Sequence, residues 1–292
     1  MKDVKALIGL EIHVTLNTHS KLFSRASQRP CAKPNTRVGY FDGGIPGAFP
    51  LLNKSALEKA LTFGLFTRST LCKTLQFDQK MFFFPDNPKG FQITQYHHPL
   101  FTHGFFFSKS QKRNFPLEKI LLEEDSASLS SLHGKTGIDH NTSGDAILEI
   151  TTSKELLTIQ EVIVFLEDLS KTLEVLEISS SSFRLDLNLS LNALHPTPYF
   201  VEIKNLRSLL CCAKAFSQGL CFLEKLQENL DNCYAFSAIY DPIKHLIVKT
   251  IPKIPKEQYL YFQDPTLSAT VLDQQLVDHV EEKLEKLRKV LF

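Results

Sequence analysis

The sequence predicts an α+β chain: a mostly antiparallel sheet with packed helices. Phe183, Leu185, Leu187, Leu189 and Leu191 alternate with Arg184, Asp186, Asn188, Ser190 and Asn192, the period-two pattern of a strand with one wet face. Leu156, Ile159, Ile163, Leu166, Leu169, Leu173 and Leu176 instead fall on one helical stripe. Strands separated by single helices suit segregated α+β architecture, and no long repeat suggests a solenoid or propeller.

Taken in chain order, Ala6 to Leu16 is rich in aliphatic and β-branched residues and reads as a strand, and Pro30 to Pro50 is a Pro/Gly-rich loop. Asn53 is placed to cap a helix through the amides of Ser55 or Ala56, and Ala60, Leu61 and Leu65 supply its apolar face. Phe77 to Pro99 is turn-rich and aromatic, which predicts a structured loop or hairpin. Ile147 to Thr151 is a short strand, and Ser179 to Ser182 a polar turn leading into the alternating segment. A helix is expected over Leu206 to Leu230, weakened at Gly219. The last helix carries Leu272, Leu276, Val280, Leu284, Leu287 and Leu291, with acids before bases on its polar face.

The 292 residues, 43% hydrophobic and 22% charged, suit a globular chain with ample core and exclude disorder as the main state. Lys and Arg number 33 against 32 acids, a formal charge of +1, so the chain lacks the field of a dedicated nucleic-acid coat. Apolar runs such as Met81 to Phe84 and Ile159 to Leu166 are too short to span a bilayer, and Met1-Lys2-Asp3 opens no signal peptide. A cytoplasmic chain with no membrane partner is expected. The six cysteines, at 31, 72, 211, 212, 221 and 233, form no Cys-x-x-Cys pair, and most are expected to be small buried apolar residues.

Three acidic elements stand out. On a strand, Glu11 and His13 share a face and lie about 7 Å apart at the backbone, so they can converge on one divalent ion or phosphate-metal cluster. Alone the pair is a weak signal, because a solvated strand face more often explains Glu-x-His. Glu123-Glu124-Asp125 follows the apolar Ile120-Leu121-Leu122; these acids need either water in a turn or a compensating cation. Glu149 lies inside Ala146 to Ile150 and needs a partner, an open cleft or a wet sheet face. Arg184, Asp186 and Asn188, then Glu202, Lys204 and Asn205, suit structural ion pairing as well as catalysis. His133-Gly134-Lys135-Thr136 ends like a phosphate loop, but Leu129 stands where its first glycine belongs. There is no Gly-x-Ser-x-Gly elbow and no His-Glu-x-x-His helix.

Many motifs, in order and over nearly the whole chain, resemble the GatB family, the B subunits of tRNA-dependent amidotransferases. They include Ile8-Gly9-Leu10-Glu11-Ile12-His13, Pro34-Asn35-Thr36, Pro46-Gly47, Asn53-Lys54 and Phe77-Asp78-x-Lys80. The run Pro85-Asp86-Asn87-Pro88-Lys89-Gly90-Phe91-Gln92-Ile93-Thr94-Gln95-Tyr96 carries most of the likeness. Leu122-Glu123-Glu124-Asp125, Leu148-Glu149-Ile150, Arg184-x-Asp186-x-Asn188-x-Ser190, Glu202-Ile203-Lys204-Asn205-Leu206 and Tyr259-x-Tyr261-Phe262 complete it.

This resemblance implies a cradle-type catalytic domain over 1–292, related to the glutamine synthetase and guanido kinase fold. It also implies the A and C subunits of the amidotransferase as partners. Members of that family use ATP to phosphorylate the carboxylate of Glu or Asp misacylated on tRNA(Gln) or tRNA(Asn), and ammonia from the glutaminase partner displaces the phosphate. The resemblance places Mg2+ on Glu11, His13, Glu124 and Glu149, with Glu123 beside them. Arg184 and Lys204 are expected to hold ATP, while Lys89, Glu124 and Asp186 are expected to be catalytic, Lys89 on the ammonia path. The aromatic segment 82–96 is expected to shield an acyl phosphate from water.

Several positions depart from the family pattern. Ser24, Ala26, Gly39 and Asp42 stand where many members bind zinc through cysteines, so no zinc is expected. The family's His before the paired acids is Leu121, its Asn-Arg-x-Gly is Asn141-Thr142-Ser143-Gly144, and its Glu-Glu-Gly-Ser is Ser179 to Ser182. The chain stops soon after Phe262, where members continue into a helical domain and a tail that grip tRNA; both are expected to be absent and tRNA affinity weakened. A degenerate paralogue that binds the A and C subunits without catalysis, or an ATP-dependent ligase acting on another carboxylate, is the alternative.

Overall fold

The computed structural model describes residues 4–132, 135–179, 183–191, 199–229, 235–252 and 259–291. Of the positions named above, Met1 to Asp3, His133, Gly134, Ser180 to Ser182, Asn192, Leu230 and Cys233 lie outside them.

Among the described residues the architecture is mixed α/β around one large, mostly antiparallel sheet of ten strands, with four helices. Strand Lys5–Thr15 runs through its middle, as the aliphatic pattern predicts. It pairs antiparallel with Phe183–Ser190 on one side and with Ala146–Thr152 and Glu155–Thr158 on the other. Beyond Ala146–Thr152 come Arg113–Glu124, Phe101–Ser108 and the short Thr70–Leu71. Beyond Phe183–Ser190 come Phe200–Leu206, Ala235–Asp241 and Leu246–Pro252. The pair Phe200–Leu206 and Ala235–Asp241 is parallel, because helix Leu209–Asn229 crosses over between them.

Alternation decides the two faces of the central strand. Ile8, Leu10, Ile12 and Val14 are buried in the core, which also takes Leu166, Leu169 and Phe165 from helix Ile159–Val175 and Phe216 and Leu223 from helix Leu209–Asn229. Glu11 and His13 point to the opposite face.

Asn53 caps helix Lys54–Phe66 as expected, its Oδ1 accepting from the amides of Ser55 at 2.9 Å and Ala56 at 3.3 Å. The second helix begins later than its leucine stripe suggests. Leu156 belongs to strand Glu155–Thr158 and is 53% exposed. A capping box stops the helix there: the Thr158 hydroxyl accepts from the Glu161 amide, and the Glu161 carboxylate accepts from the Thr158 amide. Leu206 likewise ends a strand, and the third helix starts at Leu209. Within it, a Cβ on Gly219 would lie 2.8 Å from Ile203 and 2.9 Å from Leu189, so the glycine lets the helix sit close on the sheet.

The turn-rich segment forms the expected hairpin, Asp78–Met81 with Phe91–Thr94, and Leu260–Gln263 adds a third strand. The long strands Phe101–Ser108 and Arg113–Glu124 were not foreseen, and the second carries Glu123 and Glu124 into the interior rather than into a turn. Cysteine usage also differs: of the five described, only Cys211 and Cys212 are buried, while Cys31 and Cys221 are exposed.

Helix Lys54–Phe66 approaches strand Phe101–Ser108 through Gly64, where an added Cβ would lie 2.2 Å from the fully buried Phe101 ring. Helix propensity alone favours alanine there by about 1 kcal/mol. The clash wins: Gly64→Ala is expected to lose about 1–3 kcal/mol in urea unfolding, most of it regained on adding Phe101→Leu.

Candidate active site

Register gathers the polar side chains. His13 lies opposite Glu149 on one neighbouring strand and Arg184 on the other, while Glu11 lies opposite Thr151 and Asp186. Directly paired residues share a face, so these groups meet over the face that the helices leave open. His13 Nε2 is 3.4 Å from Glu11 Oε1 and 3.6 Å from Glu149 Oε2. One ligand atom from each of the three lies within 4.8 Å of the others. Lys119, opposite Thr151 on the next strand, places its Nζ 3.0 Å from Glu149 Oε1.

Glu123 joins this face, but Glu124 does not. Glu123 pairs with Ile147, two residues from Glu149, and its carboxylate accepts from Gln92 Nε2 at 2.7 Å. Alternation turns Glu124 to the other side, against the Lys89 ammonium at 2.8 Å and the Ile93 amide at 2.8 Å. Of the four residues expected to hold a metal, the structure brings together Glu11, His13 and Glu149, with Glu123 nearby, and places Glu124 apart from them in a separate ion pair. Lys89 in that pair lies over the rings of Phe41, 4.7 Å away, and Phe91, 5.8 Å away.

The remaining named residues stand around the cluster. Asp186 accepts from the Asn205 amide at 3.0 Å, a bond made possible by the left-handed backbone of Asn205 at φ 70°. Arg184 reaches Asp125 at 3.4 Å, and Lys204 reaches Glu202 at 3.5 Å. A cavity of about 570 Å³ opens beside His13 and is lined by Arg184, Asn205, Arg207 and Asp125 among others. Among the positions where no zinc is expected, Asp42 Oδ2 accepts from the Ser24 hydroxyl at 2.7 Å and the Gly39 amide at 2.8 Å.

Sequence reasoning missed Lys119, Gln92 and the role of Lys80. Lys119 was legible as the residue at even spacing before Leu121 and Glu123, and Lys80 as part of Phe77-Asp78-x-Lys80. Lys80 is attracted by Glu123, Glu149 and Glu11 strongly enough to offset its own burial and raise its pKa.

Burial governs the protonation states. Desolvation, with Glu149 and Asp186 close by, pushes Glu11 up to about 8. Desolvation, helped by Arg184, lowers His13 to about 4, so its imidazole is neutral near pH 7. Glu123 rises to about 7, chiefly through burial. Burial works on Glu149 in the same sense, yet Lys119, His13 and Lys80 outweigh it and hold its carboxyl below the usual range. His13 Nδ1 is buried without a hydrogen-bond partner, while Nε2 faces two carboxylates. Such an arrangement needs a positive particle between its members, supplied by the Glu11 proton or by a cation. One imidazole nitrogen and two carboxylates are a fitting donor set for a divalent ion.

Comparison with known proteins shows the family. The family model described as the GatB/GatE catalytic domain matches residues 6–278. The chain belongs to the GatB/GatE catalytic domain family. It is 32% identical over 298 residues to the B subunit of the aspartyl/glutamyl-tRNA(Asn/Gln) amidotransferase of Legionella pneumophila strain Paris, covering 98% of this chain and 62% of the relative. The corresponding protein of Paraburkholderia xenovorans is 34% identical over 307 residues and that of Chlamydia abortus 32% over 302, with the same 98% and 62% coverage. This GatB/GatE-family chain thus spans less than two thirds of the length of these relatives. Among its described residues no helix is long and apolar enough to cross a membrane.

The Lys89–Glu124 pair is almost fully enclosed, with side-chain exposures of 5% and 2%. Lys89→Met strands a buried carboxylate and is expected to cost about 3–5 kcal/mol by chemical denaturation. The double variant Lys89→Met/Glu124→Leu is expected to recover most of that loss.

Proposed function

We propose that this chain is the carboxylate-activating component of a tRNA-dependent amidotransferase. On a cradle-type domain of the glutamine synthetase and guanido kinase kind, it takes ATP and Glu or Asp misacylated on tRNA(Gln) or tRNA(Asn). A side-chain carboxylate oxygen attacks the γ-phosphorus and ADP leaves. Ammonia then attacks the carbonyl carbon of the acyl phosphate, inorganic phosphate departs, and the nitrogen loses a proton to give the amide. The A and C subunits of the amidotransferase would be its partners, the former supplying ammonia from glutamine.

The observation that carries this reading is the convergence of Glu11, His13 and Glu149 on the face that also holds Lys80, Lys119, Arg184 and Lys204. Phosphoryl transfer is positioning plus charge neutralisation, and this face offers metal donors beside cations. A magnesium ion held by Glu11, His13 and Glu149, with Glu123 beside them, would neutralise phosphate charge. Arg184 and Lys204 would bind phosphate oxygens, and Asp186 would orient the groups around Glu11. Lys119 keeps Glu149 ionised and fixed in place. Lys89 and Glu124, on the other side of the strand, would line the ammonia path. The exposed Phe83 and Phe84 and the stacked pair Tyr96 and Tyr261, 3.8 Å between centroids, would exclude water from the acyl phosphate.

The test is reconstitution with the A and C subunits and misacylated tRNA. The expected result is amide formation that falls at least about 10²-fold in Glu149→Gln, with glutamine hydrolysis retained. Amidation untouched by that substitution would overturn the site. Assembly without amidation in the unsubstituted complex would select the non-catalytic paralogue, and the departure at Leu121, opposite Glu149, is the observation favouring that reading.

Protonation gives a second expectation. Without metal, Glu11 holds its proton up to about pH 8, and a cation must displace it. Mn2+ affinity is therefore expected to rise from pH 6 to 8.5, with about one proton released per ion at neutral pH. Calorimetry in two buffers of different ionisation enthalpy measures that release; affinity independent of pH would refute the ligand set.

A further inference from the structure

A cavity of about 710 Å³ shares no residue with the candidate active site. It opens where helix Lys54–Phe66 ends, beside strand Phe101–Ser108 and helix Ile159–Val175. Phe66, Phe105 and Phe107 give it aromatic walls, and Arg68, Lys109 and Lys171 give it three cations. That volume and mixture are typical of small-molecule sites.

The acid in its lining, Asp168, stays ionised and attracts Lys171, so three cations against one carboxylate leave the lining with a positive excess. Asp168 accepts from the Ser108 hydroxyl at 2.6 Å, the Ser110 amide at 3.0 Å and the Ser110 hydroxyl at 2.7 Å. Both of its oxygens are thus committed to the turn after strand Phe101–Ser108.

Arg68 supplies an independent observation. It follows the C-cap Thr67 and takes a left-handed backbone, φ 52°, with its amide bonded to the Leu65 carbonyl. Glycine fills such a position without steric cost, whereas a residue with a Cβ is strained there. The guanidinium that this strain accompanies lies 5.9 Å above the Phe105 ring, at the cavity, rather than beside a carboxylate. Backbone strain carried by a cation over an aromatic floor points to use of the side chain.

We infer that this cavity binds a nucleoside phosphate, either as a free nucleotide or as an unpaired nucleotide of RNA. The base stacks on the rings of Phe105 and Phe107. Its phosphate is held by Arg68, Lys109 and Lys171. Stacking on an aromatic face combined with cation contacts is the general chemistry for such ligands and needs no sequence-specific edge contacts.

The experiment measures binding to the full chain in EDTA by calorimetry, with AMP, single-stranded oligo(A) and inorganic phosphate as probes. Arg68→Gly is the chief variant, because it relieves the left-handed backbone while removing the cation; its thermal midpoint should hold or rise. AMP or oligo(A) affinity is expected to fall about tenfold in Arg68→Gly and in Phe107→Ser. Tighter AMP binding identifies a free nucleotide, and tighter oligo(A) binding an RNA end. Affinity unchanged in both variants, inorganic phosphate binding as well as AMP, or no binding by AMP and oligo(A) would each overturn the proposal. Amidation is not read, so failure here leaves the proposed function intact.

Discussion

The structure depends on one pairing constraint: strand Lys5–Thr15 is clamped between two antiparallel neighbours in fixed register. Its even-numbered aliphatic residues, Ile8 to Val14, must enter the core. The same alternation then fixes Glu11 and His13 on the other face, and the register brings Glu149, Arg184 and Asp186 to them. No loop has to be ordered to assemble the cluster. Precision comes from backbone hydrogen bonds and from the hydrophobic cost of slipping by one residue.

Placing acids on a half-buried face creates an electrostatic demand that the surrounding residues meet in two ways. Glu149 is satisfied by Lys119 and stays ionised, whereas Glu11, with acids on two sides, keeps its proton. Without a cation, the proton on Glu11 removes one of the negative charges that crowd the neutral His13 imidazole. The dependence of the cluster's charge on acidity has the same origin.

Much of this was legible in the sequence, for a definite reason. The clean alternation at 183–191 and the cap at Asn53 are local signals, and both elements formed where local chemistry placed them. Leu156 and Leu206 were misassigned because a helical stripe cannot reveal that a capping box or an adjoining strand claims its first residue. The site was legible in Glu11, His13 and Glu149, each a polar residue inside an aliphatic strand. Glu124 was misplaced because adjacent acids look equivalent in sequence, and only the strand's pleat separates them. The partners of the cluster, Lys80, Lys119 and Gln92, were hidden because their placement depends on pairings distant along the chain.

Glu123 and Glu124 stand back to back, so this single strand works as a thin wall between two chambers of opposite character. One side gathers several acids and bases around a ligand cluster; the other encloses a lone ion pair among aromatic rings. Adjacent residues of one strand thus face the two chambers, and Gln92 Nε2 ties them together by donating to the Glu123 carboxylate and to the Glu124 carbonyl. Their common vulnerability is the spacing of the wall itself, since inserting or deleting one residue upstream of Glu123 within Arg113–Glu124 would turn both chambers inside out together.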